Sequence, residues 1–473
     1  MHSIFELGSK SFTQHLNNST MKKKLLILVF FATVIGIYTV FTGTGCTGPS
    51  KGKTSGTISN SYANPPFDML NTQQSADTFS WRTFIALCWP ADKGTCGPDT
   101  SNGSSILNGK GEVVWETYLN SEQVFVQPPA RPDSWCAHDL QSSMYSRLPK
   151  NVQDLAQKTG IYRFAQRLEK STHGMISNGQ VFGGALVDQN GRFVRYEVKM
   201  NQTEYTYITQ NELWDSAGQS NFKGAVDFPG GTAPGVGCIE IKAAWKVMGA
   251  GDDTTKFYRI KAIVFNDAEG NNPSVATLGL VGLHIIRKTP SQRDWIWATF
   301  EQNSDTSTSF SNPNSKEPVN SPPVGKDSLT ELDWATQKPL HKPTQVKMVN
   351  AISDTSVPAI NAYYQNMVKG SVWENYHLVS TQWLVFGESI TPSFLANVTL
   401  ETYLQGPHPA SYGAGIHAGP GKNYFQDPAY QPFSDSISSS CMGCHFQAGI
   451  NPKFQSGSGN FSFMLGDAKG VKR

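Results

Sequence analysis

Six residues near the carboxyl end, Ser440-Cys441-Met442-Gly443-Cys444-His445, constrain this chain more than any other stretch. Two thiols at that spacing can add across the vinyl groups of a haem while the imidazole that follows ligates the iron. The motif therefore predicts one covalent haem c, attached through Cys441 and Cys444, with His445 as proximal iron ligand. Zinc is the poorer use of the same thiols, because a structural zinc needs four tetrahedral ligands and no second Cys/His pair with finger-like spacing is present. A thioredoxin-type dithiol needs a strand before it and a helix after it, whereas these flanks are a serine run and a Gly/Pro-containing tail. In small cytochromes c the helical body follows the motif; here it must precede it.

Haem of this type is attached outside the cytoplasmic membrane, so the chain should carry an export signal. Met21-Lys22-Lys23-Lys24 is a basic start leading into an apolar run from Leu25 to Val40, which makes residues 1 to 20 an upstream extension. That run nearly suffices for a short membrane span, and an uncleaved anchor is the competing reading. The small residues Gly43-Thr44-Gly45 before Cys46 favour processing, and Gly45-Cys46 resembles the end of a lipoprotein signal, with Cys46 the lipidated residue. Gly43 departs from the aliphatic residue usual there. The expected location is the bacterial periplasm or cell envelope, with membrane contact only through this amino-terminal lipid or anchor.

Cysteine usage fits an oxidising compartment. With Cys441 and Cys444 assigned to haem and Cys46 to lipid, Cys88, Cys96, Cys136 and Cys238 remain, a set that allows three pairings. Cys96 and Cys136 lie in polar loops that can adjust, Cys88 lies in an apolar run and reads as a buried thiol, and Cys238 could be either. A formal net charge of +2 with 16% charged residues leaves no basic stripe for nucleic acid.

The expected organisation is 1–46 extension and signal, 47–66 flexible tether, 67–302 a β-rich body, 303–345 a long loop or seam, and 346–473 the haem-attachment region. Helical spacing of Trp81, Phe84, Ile85 and Cys88 predicts a helix over 76–88, capped by Ser75 and ended by Pro90. A second helix is expected within 152–170, and a third over 358–369. A hairpin is predicted from 181–187 to 192–200 around Asn190-Gly191, with strands at 239–247, 257–265, 278–288, 293–300 and 376–385. The fold class is α+β, predominantly antiparallel β with a few helices, and no Gly-rich phosphate loop is present.

Met464 is the candidate sixth iron ligand, with a core position in a short terminal strand as its plainer reading, and His408 and His417 are the alternatives. His284, inside an apolar run, reads as a buried imidazole with one hydrogen-bonded partner. Glu240, Lys242, Lys288 and Arg293 read as strand-face charges, either solvated or paired, and Trp245, Trp295, Trp297, Trp373 and Trp383 as core fillers, one of which could meet the porphyrin edge.

The blocks Trp81-Arg82-Thr83-Phe84-Ile85-Ala86-Leu87, Ile239-Glu240-Ile241-Lys242-Ala243-Ala244-Trp245-Lys246, Gly282-Leu283-His284-Ile285-Ile286-Arg287-Lys288-Thr289-Pro290 and the haem motif resemble exported bacterial proteins of a cytochrome c family. The resemblance covers most of the mature chain and implies a single covalent haem on a large, mostly β body, without a settled substrate. The late motif followed by Phe461-Ser462-Phe463 is also similar in layout to small β-sheet haem proteins that oxidise hydroxylamine or bind nitric oxide.

Three functions stay open at this point. One is an electron carrier with envelope redox proteins as partners. A second is a haem enzyme or gas-binding protein whose open iron face takes a small nitrogen or oxygen species, and the third is a structural haem.

Overall fold

The computed structural model describes residues 58–70, 72–101, 103–109, 111–126, 129–137, 143–165, 186–265, 272–303, 309–320, 343–349, 355–384, 390–391, 395–402, 405, 440–445, 448–450 and 458–468. All belong to one compact unit, Thr57–Arg473. Cys46, His408 and His417 lie outside the described residues, as does the first half of the expected hairpin, 181–185.

Long runs of apolar and β-branched residues build a nine-stranded, mostly antiparallel sheet. A separate two-stranded hairpin is formed by β1 (Ala91–Asp92) and β2 (Gly97–Pro98). The large sheet contains β3 (Leu119–Asn120), β4 (Phe164–Ala165), β5 (Arg195–Met200), β6 (Ile239–Val247), β7 (Arg259–Phe265), β8 (Pro273–Thr289), β9 (Gln292–Gln302), β10 (Tyr376–Leu384) and β11 (Ile390–Thr391). Its path runs β11-β10-β9-β8-β6-β5-β3. The long β8 is the spine: β6 pairs along one edge, while β9 and β7 follow one another along the other. Among the described strands of this sheet, β4, parallel to β7, breaks the antiparallel rule. Because β10 pairs with β9, the carboxyl-terminal part of the chain shares its sheet with the preceding body.

Strand alternation sends side chains to two faces. Ile241, Ala243 and Trp245 of β6, Leu283 and Ile285 of β8, and Phe300 of β9 face a core closed by α1 (Gln73–Leu87). There Phe84 stacks on Phe300 with centroids 4.2 Å apart, and Trp81 on Tyr364 at 5.5 Å. Thr72, rather than Ser75, caps α1: Thr72 Oγ1 accepts from Ser75 N, and Ser75 Oγ accepts from Thr72 N, each at 3.2 Å. Helix α2 (Lys150–Thr159) stops at Gly160, whose φ of 67° is the left-handed conformation that glycine adopts freely. The chain then forms α3 (Gln202–Gln210), α4 (Ser216–Asn221) and α5 (Ser356–Met367), with α5 supplying Tyr364 and Ile360 to the first core.

Several expectations are corrected. Residues 58–66 are no tether, since Ile58 and Ala63 are buried in the first core and the Pro66 carbonyl accepts from Arg287. The turn at Asn190-Gly191 forms, but Val187 meets Phe193 in a lone bridge, and β5 pairs with β6 and β3 instead. Phe310, within the expected seam, is buried together with Val346 just beyond it. Cys96 and Cys136 form a disulfide, with Cα atoms 5.9 Å apart, while Cys88 and Cys238 are free and buried. Burial pushes both of those thiols well above the usual range, which leaves them inert.

Candidate functional site

The second sheet face carries Ile286 of β8 and Trp295 and Trp297 of β9, and onto it fold Cys441, Met442, Phe461, Met464 and Leu465. The motif lies on a short helix, α6 (Ser440–His445), which places Cys441 and His445 one turn apart. Cys441 is buried, its Sγ 3.7 Å from the Leu395 carbonyl oxygen. Met442 N donates to Gln382 Oε1 of β10 at 3.2 Å, tying the helix to the sheet. Of Cys444 only the backbone is described.

His445 is held from three sides. Its ring sits edge-on to Trp297 at 6.0 Å and tilted against Phe463 at 5.0 Å. Its Nδ1 lies 2.8 Å from the carbonyl oxygen of Phe461. A carbonyl only accepts, so Nδ1 donates to it and in the neutral ring Nε2 is the basic nitrogen, the arrangement by which proteins orient an imidazole that ligates a metal.

The turn that presents this carbonyl is strained. Asn460 and Phe461 have φ of 49° and 67°, and a bulky side chain such as Phe rarely takes the left-handed region. Three side-chain contacts hold the turn in place: Phe228 N and Lys288 Nζ donate to Asn460 Oδ1 at 3.1 and 3.3 Å, and Trp295 Nε1 donates to the Asn460 carbonyl at 2.7 Å. Such strain costs about 1–3 kcal/mol per residue, so the surrounding contacts must over-determine the geometry that meets His445.

Met464 is buried, on a short 3₁₀ helix, Phe463–Asp467, rather than on the expected strand. Gln219 Nε2 of α4 donates to the Leu465 carbonyl at 2.8 Å, and Ser121 donates to Asp467, which fix this helix. Met464 and His445 line one cavity of ≈ 30 Å³ together with Phe463, Ile286, Glu240 and Lys242. The structure thus brings two of the sequence candidates together. These are donor types that a c-type haem uses, namely an imidazole with Nδ1 engaged, a thioether in the same cavity and a thiol one helical turn away, around a cavity with room for about one water.

Of the two readings for Glu240, solvated or paired, the structure shows a paired carboxyl. It is buried and faces Glu204 of α3, which is fully buried as well. Burial first, and then the charge of Glu240, pushes the Glu204 carboxyl well above its ordinary value. His284 is the expected structural imidazole: its Nε2 donates to Glu401 Oε1 at 2.7 Å, away from the cavity beside His445. Lys288 pairs with Asp227 at 2.8 Å. Among the described residues, no three His, Cys, Asp or Glu side chains assemble into a metal-ion site.

The Phe461 carbonyl was invisible to sequence reasoning, because a backbone acceptor has no residue signature. Asn460, a residue type tolerant of positive φ, was the available signal. Comparison with family models, with curated proteins and with solved structures finds no match to this chain.

Proposed function

We propose that this chain is an exported monohaem c-type cytochrome that transfers electrons in the bacterial cell envelope. Cys441 and Cys444 would hold the haem through thioether bonds, His445 would ligate the iron through Nε2, and Met464 is the candidate for the sixth position. The observation that carries this reading is the 2.8 Å contact from His445 Nδ1 to the Phe461 carbonyl, which leaves Nε2 basic beside a buried methionine. When bound, haem supplies an iron that cycles between ferrous and ferric states.

The residues around it serve that cycle by staying put. Trp297 and Phe463 confine the imidazole, and Gln382 anchors α6 to the sheet, so little rearrangement need accompany a change of iron charge. The Cys96–Cys136 disulfide supports export, since such bonds persist in oxidising compartments. The lipid at Cys46 and the resemblance to exported cytochrome c family proteins belong to the same proposal.

The test is spectroscopic. Full-length protein matured with haem should give a covalent haem spectrum in alkaline pyridine and keep its colour through acid-acetone extraction. The reduced form should be low-spin and unmoved by carbon monoxide, and Met464→Ala should convert it to a form that binds carbon monoxide. Colour lost to acid-acetone would overturn the haem assignment. Prompt carbon monoxide binding by the unmodified protein would replace the carrier with the enzyme or gas-binding reading.

A further inference from the structure

A second cavity, of ≈ 340 Å³, opens on the other face of the sheet. Strand β5 separates the two: Val198 lines the cavity beside His445, and its neighbour Lys199, pointing the opposite way, lines this one. The volume is at the low end of small-molecule sites, about 300–1,000 Å³. None of the haem-site residues takes part in it.

Its floor is a closed set of charges. Arg163 bridges Glu116 and Glu197, at 2.6 Å from Glu197 Oε1, and Trp245 Nε1 donates to the same oxygen at 2.8 Å. The Lys199 ammonium donates to the carbonyls of Glu116 at 2.9 Å and Tyr118 at 3.0 Å, which occupies two of its three N–H bonds, and it lies 4.0 Å from Glu197 Oε2. Burial holds that ammonium below its ordinary value despite the opposing fields of Glu197, Glu116 and Glu112.

Three further groups are unspent. Gln123 is only 7% exposed, its Oε1 accepts from Asn120 N at 2.9 Å, and its amide N–H₂ has no partner among the described residues. At the rim stand Lys93 and Glu112, neither in an ion pair among the described residues. Among the described residues Lys93, Arg163 and Lys199 line the cavity with Glu112 and Glu116, and Glu197, which pairs with Arg163 behind the lining, brings the charges into balance. A bare anion or cation would leave it with an uncompensated charge in poorly solvated surroundings, whereas a zwitterion would not.

We propose that this cavity binds a small zwitterion of the α-amino-acid class. Its carboxylate accepts from Lys199 and Gln123, its ammonium pairs with Glu112, and its side chain lies against the rings of Tyr162 and Phe164. This site does not depend on the haem assignment.

Calorimetric titration of the full-length, haem-matured protein with L-amino acids taken one at a time tests it, with 3-phenylpropionate and phenethylamine as half-molecule controls. At least one amino acid should bind saturably, at least tenfold tighter than either control. Glu112→Gln, at the rim and outside the core, should weaken that binding about tenfold while leaving the haem spectrum and thermal midpoint unchanged. Gln123→Leu should weaken it as well. No binding by any amino acid, equal binding of 3-phenylpropionate, or full affinity in Glu112→Gln would each overturn the proposal.

Discussion

Glu401→Gln offers a stability test with a defined pH signature. Glu401 Oε1 accepts from His284 Nε2 at 2.7 Å and Oε2 from Asn397 N at 2.8 Å, which pins the 395–402 segment over the sheet. That segment lies close enough that a Cβ on Gly282 of β8 would run into Thr399. Burial raises the Glu401 carboxyl, but the charge and hydrogen bond of His284 outweigh it, with Lys242 and Asn397 N adding to them, and the group falls from 4.5 to about 2. A depressed carboxyl contributes stability that is present above its unfolded value and lost as pH falls through its folded value. At about 1.4 kcal/mol per tenfold the gap is worth about 3 kcal/mol. The side chain is 23% exposed, so solvent screening trims this to about 2–3 kcal/mol. Urea unfolding followed by tryptophan fluorescence should show the variant less stable by that amount at pH 7. The deficit should shrink between about pH 4.5 and pH 2. A deficit that stays constant or grows on acidification would refute the charge-based account, leaving packing as the cause.

Glu204→Gln should act with the opposite pH signature. Because the folded-state carboxyl is raised by burial and by Glu240, its contribution is lost as pH rises above 4.5, so the variant should be the more stable protein at pH 8 to 9 and equal to wild type near pH 4. The check is the urea midpoint across that range. Replacing Cys96 and Cys136 together by Ser opens a bridge with a sequence separation of 40, which chain entropy values at about 4 kcal/mol; an unchanged thermal midpoint would contradict this. Asn460→Ala removes the acceptor for Phe228 N and Lys288 and should cost about 1–3 kcal/mol. It should also loosen His445, read as a broadened or partly high-spin haem spectrum at unchanged covalent haem content.

Period-two patterning located the strands more reliably than their partners. The stretch 239–247 was legible to the residue because apolar Ile239, Ile241, Ala243 and Trp245 alternate against the first core. The start of β8 was not, since Pro273 reads as a turn residue, although a proline is tolerated as the first residue of a strand. The turn before β5 was equally legible: Asp188 Oδ1 accepts from Asn190 N and Arg192 N, and Gly191 takes φ of 73°. What the turn could not reveal was that the strand beyond it pairs with β6, a choice made by long-range burial rather than by local chemistry.

The same limit explains what was hidden at the two sites. A motif of side chains, 441–445, announces itself, but the features that give it meaning are a carbonyl from a strained turn and a tryptophan from β9, brought together only by the sheet. The zwitterion cavity had no motif at all, since Arg163, Glu197 and Lys199 form no recognisable sequence pattern and only the pairing of β5 turns Glu197 and Lys199 inward. Both sites hang on the register of this one strand. With Lys199 opposite Ile241 and Val198 opposite Lys242, Val198 faces His445 and Lys199 the opposite cavity. A one-residue slip would exchange the two, burying an ammonium beside His445 and an isopropyl group beneath Arg163. The buried bonds from Lys199 to the Glu116 and Tyr118 carbonyls penalise that slip, so a residue of the second site fixes the strand that shapes the first.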